Sequence, residues 1–212
     1  MPIDPTVDPA VAALIEPLAC VLRGQNAVNV HDGDVVVVMG AGPIGILHLK
    51  LARLRGALRV IVSEPSADRR QQALTLGADC VVDPIHDDLR ALVLAESGGR
   101  GADVIIVAAP SKAAQQSAID IAAIGGRINF FGGLPKHDPH IQLDANTVHY
   151  RELVITGTTA CSTYDGLRAA DIVNSGRLEL APLITSRFPL REAVAAFAAA
   201  ADGANLRVSL EP

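Results

Sequence analysis

The sequence has 212 residues, of which half are hydrophobic and only 3% aromatic, with a formal net charge of −5. A chain of this length can bury an aliphatic core without disulfides. The weak acidic excess contains no basic stripe, which argues against nucleic acid as a partner. No apolar run is long enough to span a membrane. The N-terminus lacks the features of a signal peptide, and the three cysteines form no Cys-x-x-Cys pair, so we expect reduced thiols and a cytoplasmic location.

Strand-like and helix-like segments alternate along the chain, which is typical of βαβ units. The segments predicted as strands are 34–39, 59–63, 80–82, 103–107, 127–131 and 152–156. The helices predicted between them are 43–55, 67–76, 87–96 and 112–123. Outside this core we predict helices at 9–23, 164–175 and 190–201 and a final strand at 206–210.

This order predicts an α/β fold, a doubly wound parallel sheet (Rossmann fold), with an N-terminal helix and a C-terminal helix-strand appendage. We place the domain boundaries at 1–25 for the N-terminal helical segment, 26–160 for the dinucleotide-binding domain and 161–212 for the appendage.

The central motif is a Gly-x-Gly-x-x-Gly segment between the first strand and the first core helix. Gly40 permits a tight turn, Gly42 lets the backbone approach a pyrophosphate, and Gly45 allows close packing of helix on strand. Pro43 opens the helix, where its missing N–H is no loss, and Ile44 follows it. The free N–H groups and the positive end of the helix dipole would face the phosphates. The motif therefore predicts binding of NAD(H).

Glu64 follows the second strand, nineteen residues after Gly45. The acid that binds the adenosine ribose is expected at about this spacing. A carboxylate there would repel a 2′-phosphate, so NAD is favoured over NADP. Arg69 and Arg70 complicate this choice, since a nearby arginine can accommodate a 2′-phosphate.

Small residues follow the fourth, fifth and sixth strands, where ligands bind in open α/β sheets. They would let a flat ring and a ribose lie close to the backbone. The candidate residues are Ala108, Ala109, Gly132, Gly133, Leu134 and Thr158.

Candidate catalytic groups are scarce. His48 is interpreted as a helix-surface residue rather than a base. The loop 132–150 is long enough to suggest a functional role. Its histidines, His137, His140 and His149, have the wrong spacing for a metal site and are interpreted as solvated loop residues.

The segments Glu16-Pro17-Leu18, Gly33-Asp34 and 40–45 together resemble the medium-chain, zinc-dependent alcohol dehydrogenases, especially the sorbitol (polyol) and threonine dehydrogenase branch. The resemblance extends over nearly the whole chain. Supporting stretches are 77–79, 101–104, 130–135, 149–153 and 187–190.

The resemblance implies an NAD-dependent oxidoreductase that transfers hydride between a secondary alcohol and NAD. It implies that residues 42–45 hold the pyrophosphate, that Glu64 holds the ribose and that Arg69 lies against the adenine. It also places the nicotinamide near Gly132, Gly133 and Thr158, and Glu16 beside a catalytic zinc.

Members of that family carry roughly 150 residues before this point, about one domain, and that domain supplies the zinc ligands. Glu16 alone cannot build a three-ligand zinc site, so we assign no metal ligand set to this chain and expect little alcohol oxidation by the chain alone. Two alternatives stay open: a stand-alone NAD(H)-binding module, or one subunit of a split dehydrogenase.

The segment Glu152 to Thr156 is predicted as the edge strand of the sheet. Exposed edges tend to be paired or covered, and the resembling family dimerises by joining sheet edges. We therefore expect a twofold homodimer through this strand. A second motive is the apolar face of the helix predicted at 9–23, which is expected to stay exposed.

Overall fold

A computed structural model describes residues 3–212, which divide into two compact units. The first unit is Val21–Ala160. The second unit consists of Cys161–Pro212 and the described residues up to Cys20. The domain boundaries predicted from the sequence stay a prediction.

The first unit holds one parallel sheet with helices between its strands. Its strands are β1 (Val35–Met39), β2 (Arg59–Ser63), β3 (Cys80–Val82), β4 (Ala102–Val107), β5 (Ala122–Phe130) and β6 (Val154–Gly157). Helix α2 (Ile15–Ala27) begins before this unit and continues into it. The helices that lie wholly within the unit are α3 (Pro43–Leu54), α4 (Ala67–Thr75), α5 (Leu89–Glu96), α6 (Lys112–Ile121) and α7 (Ala145–Tyr150). The strand order is β3-β2-β1-β4-β5-β6, which confirms the predicted doubly wound parallel sheet.

The second unit contains a short helix α1 (Pro9–Ala12), α8 (Thr163–Asn174), β7 (Ile184–Pro189), α9 (Ala193–Ala201) and β8 (Arg207–Glu211). Strands β7 and β8 pair in parallel, with α9 between them in the chain. The sequence predicted the helices and the last strand, but β7 was missed.

The core of the first unit lies on both faces of the sheet. Val35, Val37 and Met39 belong to a buried cluster that includes residues of α5 and α6. Val36 and Val38 alternate with them and are equally buried. Side chains alternate between the faces of a strand, so β1 is covered on both faces, as a parallel sheet with flanking helices requires.

Two predicted helices differ clearly in extent from the observed ones, and α7 lies in the segment 132–150 that was predicted as a loop. The helix predicted at 112–123 ends at Ile121, because Ala122 pairs with Ala102 in the sheet and strand pairing overrides the helix propensity of alanine. The helix predicted at 9–23 is two helices, α1 and α2. A continuous helix would place Pro17 in its interior, against the carbonyl of Ala13, whereas Pro17 is tolerated in the first turn of α2.

The expectation that the apolar face of this N-terminal region stays exposed is wrong. Leu14, Leu18, Ala19 and Val21 are all buried. Within residues 3–212, none of the helices has the length and apolarity that crossing a bilayer requires.

Candidate functional site

The sheet reverses its strand order between β1 and β4. β2 lies on one side of β1 and β4 on the other, so the connections after β1 and β4 lead to opposite sides of the sheet. In open α/β sheets this reversal leaves a crevice outside the carboxyl ends of the strands, where ligands bind. The predicted cofactor residues of the first unit follow the carboxyl ends of β1, β2, β4, β5 and β6.

The glycine loop between β1 and α3 is fixed by close backbone contacts. Gly40 has φ +108°, a conformation that residues with a side chain rarely adopt. A Cβ atom on Gly45 would lie 1.8 Å from the carbonyl oxygen of Gly40, which is far inside contact distance. Gly45 therefore has a structural reason to be glycine, and it holds the start of α3 against the loop.

Gly42 has the opposite environment. Its φ of −68° suits any residue, and a Cβ atom there would meet no atom within 4 Å among the described residues. Pro43 and Ile44 follow in the first turn of α3, and none of the described side chains caps this helix. Free N–H groups, the positive helix end and open space beside Gly42 together fit a pyrophosphate.

Glu64 lies directly after β2 and is only 6% exposed. Its Oε2 atom accepts a hydrogen bond from the backbone N–H of Ala41 at 2.8 Å, and Oε1 accepts one from the N–H of Ser66 at 3.0 Å. The carboxylate thus lies beside the glycine loop, in the place where the spacing predicts a ribose ligand. It also ties the loop to the end of β2, which is a structural role that the spacing did not predict.

The two arginines near Glu64 lie in α4. Arg70 ion-pairs with Asp83 at 3.0 Å and donates to the carbonyls of Glu64 and Pro65. The Arg70 guanidinium is therefore already bound to groups of the protein itself. Arg69 lies in the first turn of α4, where its N–H donates to the Ser66 hydroxyl at 3.4 Å.

The ends of β4 and β5 come into close contact. The N–H of Gly132 donates to the carbonyl of Val107 at 2.8 Å, and a Cβ atom on Gly132 would lie 2.8 Å from the backbone of Ala109. Gln115 of α6 donates to the Gly132 carbonyl at 3.0 Å. Ala108 is hydrogen-bonded to the end of β1. Backbone packing therefore gives Gly132 a structural reason to be glycine.

Gly133 and Leu134 continue this loop. A Cβ atom on Gly133 would meet nothing within 4 Å among the described residues, and Leu134 is half-buried. The loop therefore changes within two residues from close packing to open space.

A polar ladder that the sequence analysis missed joins β5 to β6. The fully buried Asn129 donates to the Thr156 hydroxyl at 3.1 Å and accepts from the Thr158 hydroxyl at 3.2 Å. The ladder fixes the Thr158 side chain after β6. An asparagine between the apolar residues of a buried strand was the signal that could have found it.

The interpretation of His48 as a surface residue is wrong. His48 is completely buried, with its ring 4.6 Å from that of Phe131, edge to face. Neither ring nitrogen has a hydrogen-bond partner among the described residues. Burial, with a smaller effect of Arg55, lowers the pKa of His48 to about 3. The loop histidines His137 and His140 are exposed as predicted. His149 is exposed as predicted, but it lies in α7 rather than in a loop.

Glu16 lies in the second unit, where it meets two cysteines. Ligand atoms of Glu16, Cys20 and Cys161 lie within 4.8 Å of one another. Cys20 donates to Oε1 of Glu16 at 3.5 Å. Burial, the hydrogen bond with Cys161 and the Glu16 carboxylate raise the pKa of Cys20 to about 12. This cluster was not predicted from the sequence, although Glu16 and Cys20 have the i, i+4 spacing that shares one helix face.

Comparison with known proteins assigns the family. The family model described as "Zinc-binding dehydrogenase" matches residues 43–175, more than half of the chain. The chain belongs to this zinc-binding dehydrogenase family. That confirms the resemblance drawn from the motifs.

Curated relatives of the family agree in sequence. An L-threonine 3-dehydrogenase of Bacillus subtilis (strain 168) is 33% identical over 191 residues, which are 88% of this chain and 53% of that protein. A sorbitol dehydrogenase of Halalkalibacterium halodurans is 29% identical over 208 residues, 97% of this chain and 60% of that protein. The chain thus spans between half and two thirds of their length.

The fold agrees as well. A putative zinc-binding dehydrogenase from Sinorhizobium meliloti 1021, solved bound to NADP, superposes with a TM-score of 0.89 and is 32% identical. The superposition covers 99% of this chain and 61% of that structure.

The family name implies a zinc ion, and the donors present here fit one. Zinc binds thiolates and carboxylates, usually in a tetrahedral arrangement. The Glu16, Cys20 and Cys161 side chains offer one carboxylate and two thiols within reach of a common centre.

Proposed function

We propose that this chain is the NAD(H)-binding part of an alcohol or polyol dehydrogenase that transfers hydride between a secondary alcohol and NAD. The observation that carries this proposal is the glycine loop: an uncapped helix N-terminus with open space at Gly42, at the reversal point of the sheet. The dehydrogenase names of the relatives support the reaction class.

In this proposal, each group of candidate residues binds a different part of the cofactor or the metal. The N–H groups of residues 42–45 bind the pyrophosphate, and Glu64 binds the adenosine ribose. Arg69 lies against the adenine. Ala108, Ala109, Gly132, Gly133, Leu134 and Thr158 form the surface for the nicotinamide half. Zinc held by Glu16, Cys20 and Cys161 would polarise an oxygen ligand as a Lewis acid.

A calorimetric titration with NADH tests this proposal. Calorimetry suits this chain, which has no tryptophan, because the method does not depend on protein fluorescence. Gly42→Val fills the open space without backbone strain, so we expect a folded protein whose affinity for NADH falls at least about tenfold, or 1.4 kcal/mol. Ala91→Val adds bulk at an exposed position of α5 and should leave NADH binding unchanged. Undiminished binding by the Gly42 variant would reject the proposed phosphate site.

We further propose that NAD is preferred over NADP. The support is the buried Glu64 carboxylate at the end of β2, where a 2′-phosphate would place two negative charges together. The structural relative from Sinorhizobium meliloti was solved bound to NADP, so the preference of this chain for NAD over NADP needs a direct measurement.

A separate variant tests the preference for NAD over NADP. Glu64→Gln keeps a hydrogen-bond acceptor for the glycine loop and removes the charge. The unmodified protein should bind NADH at least about tenfold more tightly than NADPH, and Glu64→Gln should narrow this ratio. Equal or tighter binding of NADPH by the unmodified protein would overturn the assignment.

A homodimer through the edge of the sheet is also proposed. The supporting observation is that β6 is an edge strand, although it spans Val154–Gly157 rather than the predicted Glu152 to Thr156. The Val154 side chain on this strand is half-exposed. Light scattering should give twice the chain mass, and Val154→Lys should return a monomer. Leu58→Lys, at another exposed apolar position, should leave the dimer intact. A monomer mass for the unmodified protein at high concentration would end this proposal.

A cytoplasmic location stays part of the proposal. Its support is the set of three cysteines that form no disulfide within the described residues. Cell fractionation would test it.

A further inference from the structure

Given the proposed function, which brings the nicotinamide half of the cofactor to the end of β6, we propose that Asn129 and Thr156 are positioning residues for Thr158. They fix the Thr158 hydroxyl as a hydrogen-bond acceptor for the primary amide of the nicotinamide. The observation that carries this proposal is the direction of three hydrogen bonds in the polar ladder between β5 and β6.

The first two hydrogen bonds fix the amide of Asn129. The Thr156 hydroxyl donates to the carbonyl of Ile128 at 3.2 Å, and a hydroxyl has only one hydrogen to donate. Toward Asn129 the Thr156 oxygen therefore acts as an acceptor, and the Asn129 Nδ2 atom donates to it at 3.1 Å. The reverse orientation of the amide would place two acceptor oxygens against each other, so Nδ2 faces Thr156 and Oδ1 faces away from it.

The third hydrogen bond fixes the hydroxyl of Thr158. The Oδ1 atom of Asn129 carries no hydrogen, so the Thr158 hydroxyl donates its only hydrogen to this atom, at 3.2 Å. The lone pairs of the Thr158 oxygen are then what this side chain offers to a ligand. Through the ladder, a residue of β5 thus determines whether Thr158 accepts or donates.

Burial keeps this arrangement in place. Asn129 is 0% exposed and is paired with Thr156 in the register of β5 and β6. Water reaches Asn129 only if the sheet opens, and a buried polar group that loses its partner is costly. Thr158 is half-buried and follows β6, at the edge of the sheet where ligands bind in this type of fold. The ladder is therefore closed to solvent at Asn129, while its last hydroxyl is within reach of a ligand.

A hydroxyl that only accepts distinguishes between two closely related pyridine rings. The amide of nicotinamide carries N–H donors, which match an acceptor at Thr158. Replacing the amide nitrogen by a methyl group gives 3-acetylpyridine, which keeps the ring, the carbonyl and the charge but has no hydrogen to donate. A site built to hydrogen-bond a ligand group rejects the analogue that lacks it, because the polar group of the site is left unpaired. Thr158 is therefore a specificity-determining residue for the amide.

The experiment is a set of calorimetric titrations with NADH, with reduced 3-acetylpyridine adenine dinucleotide and with ADP-ribose. ADP-ribose lacks the pyridine ring, so it measures binding of the adenosine and pyrophosphate part alone. We expect the unmodified protein to bind NADH at least about tenfold more tightly than the acetylpyridine analogue, since an unpaired polar group costs an amount of this order.

Three variants test the acceptor itself. Thr158→Val keeps the shape and removes the hydroxyl, so it should bind the two dinucleotides with nearly equal affinity and ADP-ribose as before. Thr158→Ser keeps a hydroxyl and should keep the preference for NADH. Thr159→Val makes the same substitution at the next, exposed position and should behave like the unmodified protein.

Two further variants test the positioning residues and leave Thr158 in place. Asn129→Leu frees the hydrogen of the Thr158 hydroxyl, which can then donate to the acetyl carbonyl. Thr156→Val removes the acceptor that orients the Asn129 amide, so the amide can reverse and donate to Thr158. Both variants should narrow the preference for NADH over the analogue without changing the affinity for ADP-ribose. A merely structural role would not change the ratio between two ligands that differ in one group, and Thr156→Val, on the edge strand, provides the result if Asn129→Leu fails to fold.

Two results would overturn this proposal while binding of ADP-ribose shows an intact cofactor site: equal affinity of the unmodified protein for NADH and the analogue, or a preference for NADH that survives in Thr158→Val. A preference that Thr156→Val leaves unchanged would reject the role of the ladder. Absence of binding of all three ligands to the unmodified protein would reject the proposed function, and this proposal with it.

Discussion

The six-stranded and the two-stranded sheet differ in how deeply their strands are buried. All five residues of β1 and five of the six in β4 are buried, whereas β7 and β8 alternate between half-buried and exposed positions along their described lengths. Protein interiors are close-packed, so a change in a buried strand meets neighbours that cannot easily move. We therefore expect substitutions to cost most around the large sheet and least in the second unit.

The largest effect is expected at Gly45. In Gly45→Ala the new Cβ would lie 1.8 Å from the Gly40 carbonyl oxygen, so α3 has to move away from β1. We expect a loss of about 4 to 5 kcal/mol, the range reached when strain or overpacking is severe. Urea denaturation followed by circular dichroism measures it.

Gly42→Ala is the control for Gly45→Ala. It adds the same methyl group within the same loop, but into open space rather than against the Gly40 carbonyl. Its midpoint in urea should stay close to that of the unmodified protein. If both variants are equally stable, the close approach of helix and strand does not determine the fold of this loop.

The second effect concerns the ion pair between Arg127 and Asp34 at the start of the sheet. The two groups are 2.6 Å apart, Asp34 is almost completely buried, and Arg127 also donates to the carbonyl of Asn29. Arg127→Met leaves a buried carboxylate without its cation, which costs about 3 kcal/mol or more.

A double variant checks this reasoning about Arg127. Asp34→Asn combined with Arg127→Met removes both charges, so it should be more stable than the sum of the single effects predicts. Strict additivity would show that the two groups do not stabilise each other.

The contrast between the sheets also explains which elements could be predicted. The strands β1 to β4 contain continuous apolar runs, such as the four valines of β1, and their bounds were predicted to within one residue. In contrast, β5 begins five residues before its predicted start, and β6 begins two residues after its predicted start. Strand β7 has the sequence Ile-Thr-Ser-Arg-Phe-Pro, whose polar residues and terminal proline gave no such run. Its strand conformation depends on pairing with β8, about twenty residues later, which local sequence does not show.

The third effect is a dependence of stability on pH through His48. The folded state keeps this buried ring neutral, with a pKa of about 3 against an ordinary value of 6.5. Between these values the unfolded chain binds one more proton than the folded chain, so the free energy of unfolding falls as the pH is lowered. At pH 5 the loss is about 2 kcal/mol, from 1.36 kcal/mol per pKa unit.

His48→Leu should remove this part of the pH dependence, because leucine keeps an apolar contact with Phe131 and does not titrate. His137→Gln, at an exposed loop position, should keep the slope of the unmodified protein. The measurement is the free energy of unfolding in urea at pH 7.5 and at pH 5. A slope that His48→Leu leaves unchanged would assign the pH dependence to other groups.

The two candidate sites, like the two sheets, differ in how far the sequence alone could predict them. The cofactor residues 40–45 and Glu64 lie in one βαβ unit, so a local motif and a spacing were enough to propose them. Cys161 meets Glu16 and Cys20 only in the folded chain, because the residues between them form the whole first unit. His48 was misplaced for a related reason: the helix pattern gave no sign that Phe131, after β5, packs against its ring.

The smallest effect is expected in the second unit, at Gly166 in the interior of α8. A Cβ atom there would meet nothing within 4 Å among the described residues, and the backbone is not left-handed. Glycine in a helix interior is less favourable than alanine by roughly 0.5 to 1 kcal/mol, so Gly166→Ala should stabilise the protein by about that amount. Gly176, just after the same helix, has φ +65°, and Gly176→Ala should destabilise it instead. Denaturation in urea without added metal measures both variants. A loss of stability in Gly166→Ala would show that the second unit is packed as tightly there as the large sheet, and the contrast between the two units would fail.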